Sequence, residues 1–493
     1  MPNTIDLGGQ MRLDKLVGND AVTNDIMANY NIKGLTADSR EVKKGYLFAA
    51  LQGSTKNGNT YISEAISRGA SAILTSEKKY NVAKGVCLIS SENPRKLLSH
   101  IASRYYKAQP KIIVAVTGTN GKTSVTQFTH QIWQAANFNG ATLGTMGISL
   151  QSIKMASKLT TPDPISLHRT LAALSKKKIN YLAMEASSHG LVQHRLDFVN
   201  ISAAAYTNLS RDHLDYHKNM SAYLNAKMHL FSKVLIKGGD VIANSDSPEF
   251  PLISQICKKQ GHSIIDYGRN ANRIRLESSK PIENGQQLKL IIDGRSNVIR
   301  IPLIGHIQTM NALCASGLAI SSGIEVDTLL TALESLQPIP GRLEHIGQTQ
   351  KGASVYIDFA HTPESLMAIL CELRTYTARK LVVVFGAGGD RDKGKRRLMG
   401  EAAQKYADTV YVTDDNPRSE EPSQIRQEVI EGCPNAINIE DRKNAITQAI
   451  KTLEFGDLVL IAGKGDETNQ IFGDTVIPFS DREICINILS KSQ

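Results

Sequence analysis

Residues 111–124 read as a buried strand that breaks into a glycine-rich turn and then enters a helix. Ile112 to Val116 are apolar and mostly β-branched, which suits a central parallel strand covered on both faces. The turn follows as Thr117-Gly-Thr-Asn-Gly-Lys-Thr123. Gly118 and Gly121 permit backbone angles and close approaches that a Cβ forbids. Lys122 can sit over phosphate oxygens and Thr123 can offer its hydroxyl to a bound magnesium ion. As a loop residue, Lys122 is expected to face solvent. The helix predicted from about Ser124 to Ala136 points its free N–H groups and positive dipole end at the same anion. Val116 occupies the place of the first glycine in the usual G-x-x-x-x-G-K-[ST] pattern, and a plain Gly-Lys-Thr loop is the simpler alternative. The strand before and the helix after favour phosphate binding. A chain built on this unit is an α/β protein.

At 493 residues the chain exceeds one typical core, and two to four domains are expected. Hydrophobic residues at 41% and charged residues at 21% are those of a soluble globular protein. No apolar run approaches the length of a membrane span, and Met1 to Asp6 lack the features of a signal peptide, so no membrane insertion is expected. Cys87, Cys257, Cys314, Cys371, Cys433 and Cys485 are widely spaced, which argues against disulfides or zinc and for a reducing cytoplasm. The net charge of +10 is dispersed, and aromatics are 5%, so no nucleic-acid platform is expected; an anionic small substrate explains the charge equally well.

Three segments emerge along the chain: 1–108, 109–338 and 339–493. The first alternates short strands and helices, with a turn at Thr36-Ala-Asp-Ser-Arg40 capped by Asp38 or Ser39. The second continues into a polar, proline-marked loop, Leu159-Thr-Thr-Pro-Asp-Pro164, which carries Thr160 and Thr161. Strand Tyr181 to Met184 then meets Glu185, followed by Ser187, Gln193 and Arg195; a carboxylate at a strand end opposite a phosphate loop can hold a metal or orient water. Asp212, His213, Asp215 and His217 could ligate a metal or be surface polarity. On pattern alone Lys227 is a helix-surface lysine. Residues 273–304 are strand-like, with turns at 283–285 and 293–294.

The third segment reads βαβα, a doubly wound parallel sheet with Rossmann-like topology. Its polar clusters fall where the strands end: Asp358-Phe-Ala-His361, Gly388-Gly-Asp-Arg-Asp-Lys393, Asp415-Asn-Pro-Arg418 and Gly463-Lys-Gly-Asp-Glu467. Any one could be an ordinary turn, but four at equivalent ends favour a binding crevice.

The loop, Glu185-x-Ser-Ser-His-x-Leu-x-Gln-x-Arg195, Asp212-His-Leu-Asp-x-His217 and Tyr223-x-x-Ala-Lys227 occur in the order found in the Mur ligases. Together they are similar to the branch that adds the third residue of the peptidoglycan stem peptide. Folylpolyglutamate synthetases share the loop, but they begin almost directly with it and lack the first segment. The resemblance runs from about Thr36 to Arg482. It implies a small N-terminal UDP-binding domain, a central ATP-binding domain and a C-terminal amino-acid domain in a cytoplasmic monomer. Its partners would be ATP, UDP-N-acetylmuramoyl-L-alanyl-D-glutamate and meso-diaminopimelate.

Residue by residue, the resemblance implies that Gly118, Thr119, Asn120, Gly121, Lys122, Thr123, Asn311, Arg342, Asp358 and His361 serve ATP. Ser39, Thr160, Thr161, Ser187, Gln193 and Arg195 would hold the UDP-linked dipeptide. Thr123, Glu185, His213 and Lys227 would serve magnesium, Lys227 as a carbamate formed with carbon dioxide. Lys122, Lys227, Glu185 and His213 would be catalytic, and His213 and His361 are the open candidates for taking the amine's proton. Arg391, Asp415, Asn416, Pro417, Arg418, Gly463 and Glu467 would bind the amino acid. In this family Asp-Asn-Pro-Arg accompanies diaminopimelate, and an arginine fork suits its extra carboxylate, whereas it would repel the ammonium of lysine. The family's usual Phe-Asn near His306 is absent, and its Gly-Lys-Gly-His-Glu reads Gly-Lys-Gly-Asp-Glu, with Asp466 replacing the histidine. The nearest alternative is the lysine-adding ligase. More distant ones are a P-loop nucleic-acid-binding ATPase and a muramoyl-peptide binder without catalysis.

Overall fold

The structure is a computed structural model that describes residues 9–24, 26–53, 56–78, 80–150, 153–155, 159–282 and 285–491. Residues 1–6, read above for a signal peptide, and positions 283 and 284 of the expected turn lie outside these. Among the described residues no helix is long and apolar enough to cross a membrane.

The first segment forms a five-stranded sheet in which Gly34–Thr36, Tyr46–Ala49, Ala72–Thr75 and Cys87–Ser90 run parallel and Val22–Thr23 pairs antiparallel at the edge. Helix Pro94–Tyr106 covers one face through Leu98 and Ile101, its start fixed by Asn93, whose side chain accepts from Lys96 N–H, and by Pro94 in the first turn. In the 36–40 turn the cap is Asp38, which accepts from Arg40 N–H at 2.9 Å.

The phosphate-loop strand, Ile112–Thr117, lies inside an eleven-stranded sheet between Tyr181–Glu185 and Ile201–Tyr206. All three are parallel and in register, with Glu185 opposite Val116 and Tyr206 opposite Thr117, so their C-terminal ends share one edge. Val114, Val116 and Ala205 pack under helices Lys122–Ala135 and His306–Ser321, while Ala115, Leu182 and Ala204 pack on the other face. Both faces are covered, as the continuous apolar runs require. Beyond Ser263–Gly268 the sheet continues into the antiparallel Ile274–Ile282, Gly285–Ile292 and Arg295–Ile301, with the expected turn at Asp293 and Gly294, both at positive φ. The proline-marked loop is partly a helix start: Asp163 caps Pro164–Lys176 by accepting from the N–H groups of Ile165 and Ser166.

A six-stranded sheet organises the third segment, with Ser354–Asp358, Leu458–Ala462, Leu381–Phe385 and Thr409–Val412 parallel and adjacent. The sequence pattern missed its antiparallel edge strand Glu344–Gln348, the two-residue strand Ile437–Asn438 and a separate hairpin of Asn469–Phe472 with Thr475–Pro478. These pieces are short and polar or exposed, so none carries a buried apolar run. The C-terminal edge of this sheet faces that of the central sheet. Arg211 reaches across to Asp392 at 3.0 Å, and His306 N–H donates to Glu372 at 2.8 Å.

Candidate active site

The turn after Ile112–Thr117 is built so that glycine is required twice. Gly118 has φ +150, and a Cβ there would lie 1.8 Å from Thr207 Oγ1. Gly121 has φ +85, and its Cβ would meet Asn311 Oδ1 at 2.5 Å. Val116 is fully buried inside the strand, so the strand runs on through the position of the usual first glycine and the turn is correspondingly tighter. Lys122 is not turned to solvent as expected. Its half-buried side chain donates to the carbonyl oxygens of Gly118 at 2.9 Å and Thr119 at 2.7 Å. Burial, with Arg342 adding to it, lowers its pKa against the opposing pull of Glu185 and Asp212.

Glu185 is buried at the neighbouring strand end. It accepts from Thr123 Oγ1 at 3.0 Å, Thr145 N–H at 2.9 Å and Thr145 Oγ1 at 3.1 Å. Thr160 shares the Thr145 hydroxyl at 3.1 Å. Thr161 is fully buried, donating to Glu185 O and accepting from Ser187 N–H, so it braces the loop rather than facing the cavity. Ser187 caps the next helix by accepting from Gly190 N–H.

Asp212, His213, Asp215 and His217 do not converge on one point. Asp212 faces His361 Nε2 at 3.5 Å and Lys395 Nζ at 3.8 Å, both from the third segment, while His217 pairs with Ser188. Burial raises the Asp212 carboxyl, but the hydrogen bond and charge of His361, helped by His213 and Lys395, prevail and hold it well below the usual carboxylate range. Burial pushes His213 down to about 3, leaving a neutral imidazole with a lone pair to offer.

Lys227 is not a surface residue. It is 1% exposed on helix Met220–His229, with Nζ 4.0 Å from the centre of the Tyr223 ring. Burial, reinforced by the charge of Lys122, drives its pKa well below that of a free lysine and so favours the uncharged amine.

In the third segment the strand ends place their clusters side by side. Asp358 is buried, and burial raises its carboxyl even though Arg342 and the N–H groups of Leu343 and Ala360 favour the anion. Arg342 stacks on Phe359 at 4.3 Å and pairs with Asp466 at 2.8 Å, so the residue that replaces the family's histidine engages the arginine at the domain junction. Asn416 donates to Glu467 at 2.9 Å and accepts from Lys464 Nζ at 3.1 Å, and Lys464 also pairs with Glu467. Arg418 has φ +55 and hydrogen-bonds only to backbone carbonyls, that of Gly389 at 2.7 Å and that of Asn416 at 3.4 Å. Burial, with Arg391 nearby, lowers its pKa, the signature of a cation short of negative charge.

One cavity of about 560 Å³ joins these groups. It holds residues 118–123, Thr160, Glu185, Ser187, His213, Lys227, Asn311, Arg342, Asp358 and His361 from one side. Arg391, Asp415, Asn416, Arg418, Gly463 and Glu467 line the other. Gln193 and Arg195 instead line a second cavity of about 200 Å³ between the first and central domains, with Arg95 and Asp163. Ser39, Thr161 and Pro417 line neither; the Ser39 hydroxyl donates to Glu64 at 2.8 Å. Sequence reasoning missed Thr145 and Lys395, which carry no motif, and read Asp212 as a metal ligand or surface polarity rather than as a partner for the third segment. Near His306 the cavity wall is Ile307, an aliphatic side chain in place of the family's aromatic.

Three family profiles cover most of the chain: the Mur ligase middle domain over residues 116–319, the Mur ligase glutamate ligase domain over 341–465, and the Mur ligase family catalytic domain over 31–106. This chain belongs to the Mur ligase family. Among Mur ligases it is 45% identical to the UDP-N-acetylmuramoyl-L-alanyl-D-glutamate–2,6-diaminopimelate ligase of Rhizobium meliloti, over 92% of this chain and 93% of that protein. It is 44% identical to the ligase of the same name from Bradyrhizobium diazoefficiens, over 96% and 98%. A solved structure of that ligase aligns at TM-score 0.71 and 29% identity, covering 98% of this chain and 99% of its own. The Mur ligase fold is shared with Mycobacterium tuberculosis folylpolyglutamate synthase, at TM-score 0.62 and 19% identity, which covers 74% of this chain and 91% of its own.

Proposed function

We propose that this Mur ligase adds meso-diaminopimelate to the D-glutamate of UDP-N-acetylmuramoyl-L-alanyl-D-glutamate, in the cytoplasm, at the expense of ATP. It is an ADP-forming acid–amino-acid ligase of peptidoglycan synthesis. The observation that carries the assignment is the single cavity with the phosphate loop on one wall and an Arg418 lacking a carboxylate partner on the other.

The γ-phosphoryl group of ATP passes to the D-glutamate side-chain carboxylate, giving an acyl phosphate and ADP. Lys122 and the loop N–H groups hold the phosphates and offset the charge that builds up during transfer. The amine of diaminopimelate then attacks the acyl carbon, and phosphate leaves from the tetrahedral intermediate. Both half-reactions share one cavity, so the acyl phosphate stays clear of bulk water. Arg418 would clamp the distal carboxylate of diaminopimelate while Glu467 and Asn416 fix its other end. Thr160 and Ser187 would steer the dipeptide toward the loop, with Gln193, Arg195 and Ser39 further along the UDP-linked chain.

The donor set fits magnesium. Thr123 and Glu185 already touch, and His213 is held neutral. Lys227 as an amine is a poor partner for a hard cation, but the burial that lowers its pKa favours the uncharged form, which is the form that reacts with carbon dioxide. The reaction yields a carbamate and one proton, replacing nitrogen with anionic oxygen donors. Bound magnesium would supply charge neutralisation at the transferring phosphoryl group.

The test is phosphate release with the UDP-linked dipeptide, offering meso-diaminopimelate and lysine separately. Release with diaminopimelate and little with lysine is expected. A preference for lysine would leave only the general ligase assignment standing.

A further inference from the structure

We propose that His194, Asp197 and His229, which lie outside both cavities, form a binding site for a divalent transition metal of the zinc class. One ligand atom from each of the three lies within 4.8 Å of the others. His194 Nδ1 is 2.9 Å from Asp197 Oδ2, and His229 Nε2 is 3.9 Å from Asp197 Oδ1. A hydrogen-bonded turn accounts for the first contact only. It leaves Asp197 Oδ1 and His229 Nε2 buried, facing each other and without a hydrogen-bond partner. That is an arrangement proteins avoid unless something else satisfies both atoms. Zinc binds nitrogen and oxygen at about 2.0–2.2 Å, so tetrahedral ligands sit about 3.4 Å apart, and the two observed separations bracket that value.

The chemistry selects the metal class. Two imidazoles and one carboxylate suit zinc-like ions, whereas magnesium favours a mainly oxygen donor set. The surroundings supply the support such a site needs. Asn93 Nδ2 donates to His194 Nε2 at 3.0 Å, which leaves the ring proton on Nδ1 toward Asp197; a metal at Nδ1 would shift that proton to Nε2, where the Asn93 amide, turned about its last bond, would accept it through Oδ1. His194 sits at φ +56, a conformation costly for a non-glycine residue, and Ser99 fixes it by donating to its carbonyl oxygen. Water would complete the coordination.

The position gives the site a consequence. Asn93 and Ser99 belong to the first domain, His194 lies between Gln193 and Arg195, and His229 ends the helix that carries Lys227. A metal here would pin the UDP-side loop, the Lys227 helix and the first domain to one another.

The experiment titrates zinc chloride into full-length, chelator-treated protein held in excess magnesium and ADP, so that the phosphate site is occupied. Wild type is expected to bind one zinc with a micromolar or tighter constant. His229→Gln and Asp197→Asn should each weaken binding at least about tenfold. Cobalt in place of zinc should give a visible spectrum that His229→Gln removes. His229 is half-buried at a helix end, so its variant stays informative should Asp197→Asn fail to fold. Absence of binding below about 100 μM, or equal affinity and stoichiometry in wild type and His229→Gln, would overturn the proposal.

Discussion

The two facing sheet edges treat buried charge in opposite ways. On the C-terminal side, Arg442 is fully buried against Asp481 at 2.7 Å, and Arg396 meets Glu420 and Glu428, both at 2.8 Å. Lys464 is likewise satisfied by Glu467 and Asn416. On the central side, Lys122 and Lys227 are buried near each other, and each has its pKa lowered. Asp212 there turns to His361 and Lys395 of the opposite domain. Paired charge marks framework, and charge left short of a partner marks where a ligand completes the structure. Arg418 is the telling exception on the C-terminal side, because among the described residues its half-buried guanidinium, unlike those of Arg442 and Arg396, donates to carbonyls and to no carboxylate.

The largest effect expected is at the phosphate loop. Lys122→Ala should lower phosphate release about a thousandfold or more while the melting temperature barely moves. Near-normal turnover by a folded variant would make Lys122 framework and break the contrast. On the framework side, Asp481→Ala should cost about 3–5 kcal/mol in denaturant unfolding because it strands Arg442, and Arg442→Met with Asp481→Leu should recover most of it. A mild effect of the single change would show that the pair is not what holds that edge.

Lys227→Met sharpens the contrast because it moves activity and stability in opposite directions. Activity should fall about a hundredfold, and formate or acetate should restore part of it to the alanine variant. In carbon-dioxide-free buffer at pH 7 the methionine variant should be more stable than wild type by on the order of 1–3 kcal/mol. The sign follows from linkage. Folded Lys227 has the lower pKa, so between that lowered value and the usual lysine value the unfolded chain holds a proton that the folded chain lacks. Wild-type stability therefore climbs with pH up to about 10.5, the variant lacks that slope, and its advantage shrinks. An advantage that is flat with pH would refute the buried neutral amine.

Arg418→Ala should raise the apparent constant for diaminopimelate about thirtyfold, as expected for losing about 2 kcal/mol or more of charge-assisted contact. The constants for ATP and the dipeptide should stay put, and lysine should remain poor. A change confined to ATP would misplace the residue. This is the smallest of the four effects and the one that speaks to specificity.

What the sequence made legible follows the range of the interactions. The phosphate loop, the parallel strands and the four strand-end clusters rest on local pattern, and Glu185, Asp358 and Arg418 fall where strand ends predict. Lys227 was not legible from pattern, because its burial is set by tertiary packing and the charge that acts on it, Lys122, comes from a distant loop. Lys122 was misread as solvent-facing because nothing local reports that its ammonium folds back on the carbonyls of its own turn. The hairpin at 469–478 escaped because its second strand is exposed throughout. Asp466 stood out as a departure from the family, but only the structure gives it Arg342 as a partner.

Arg418 does not hold its left-handed backbone alone. Its N–H donates to Ile471 O at 3.1 Å, its carbonyl oxygen accepts from Gly473 N–H at 2.6 Å, and it bridges to Phe472 in the distant hairpin. If Arg418 sets amino-acid preference as proposed, that preference depends on two separate stretches of sequence, the motif and the hairpin that seats it. An insertion in the hairpin would then disturb amino-acid binding with Asp415-Asn-Pro-Arg418 untouched. A designer who transplants the four-residue motif into a lysine-adding relative without Asn469–Pro478 would deliver the right side chain on the wrong backbone.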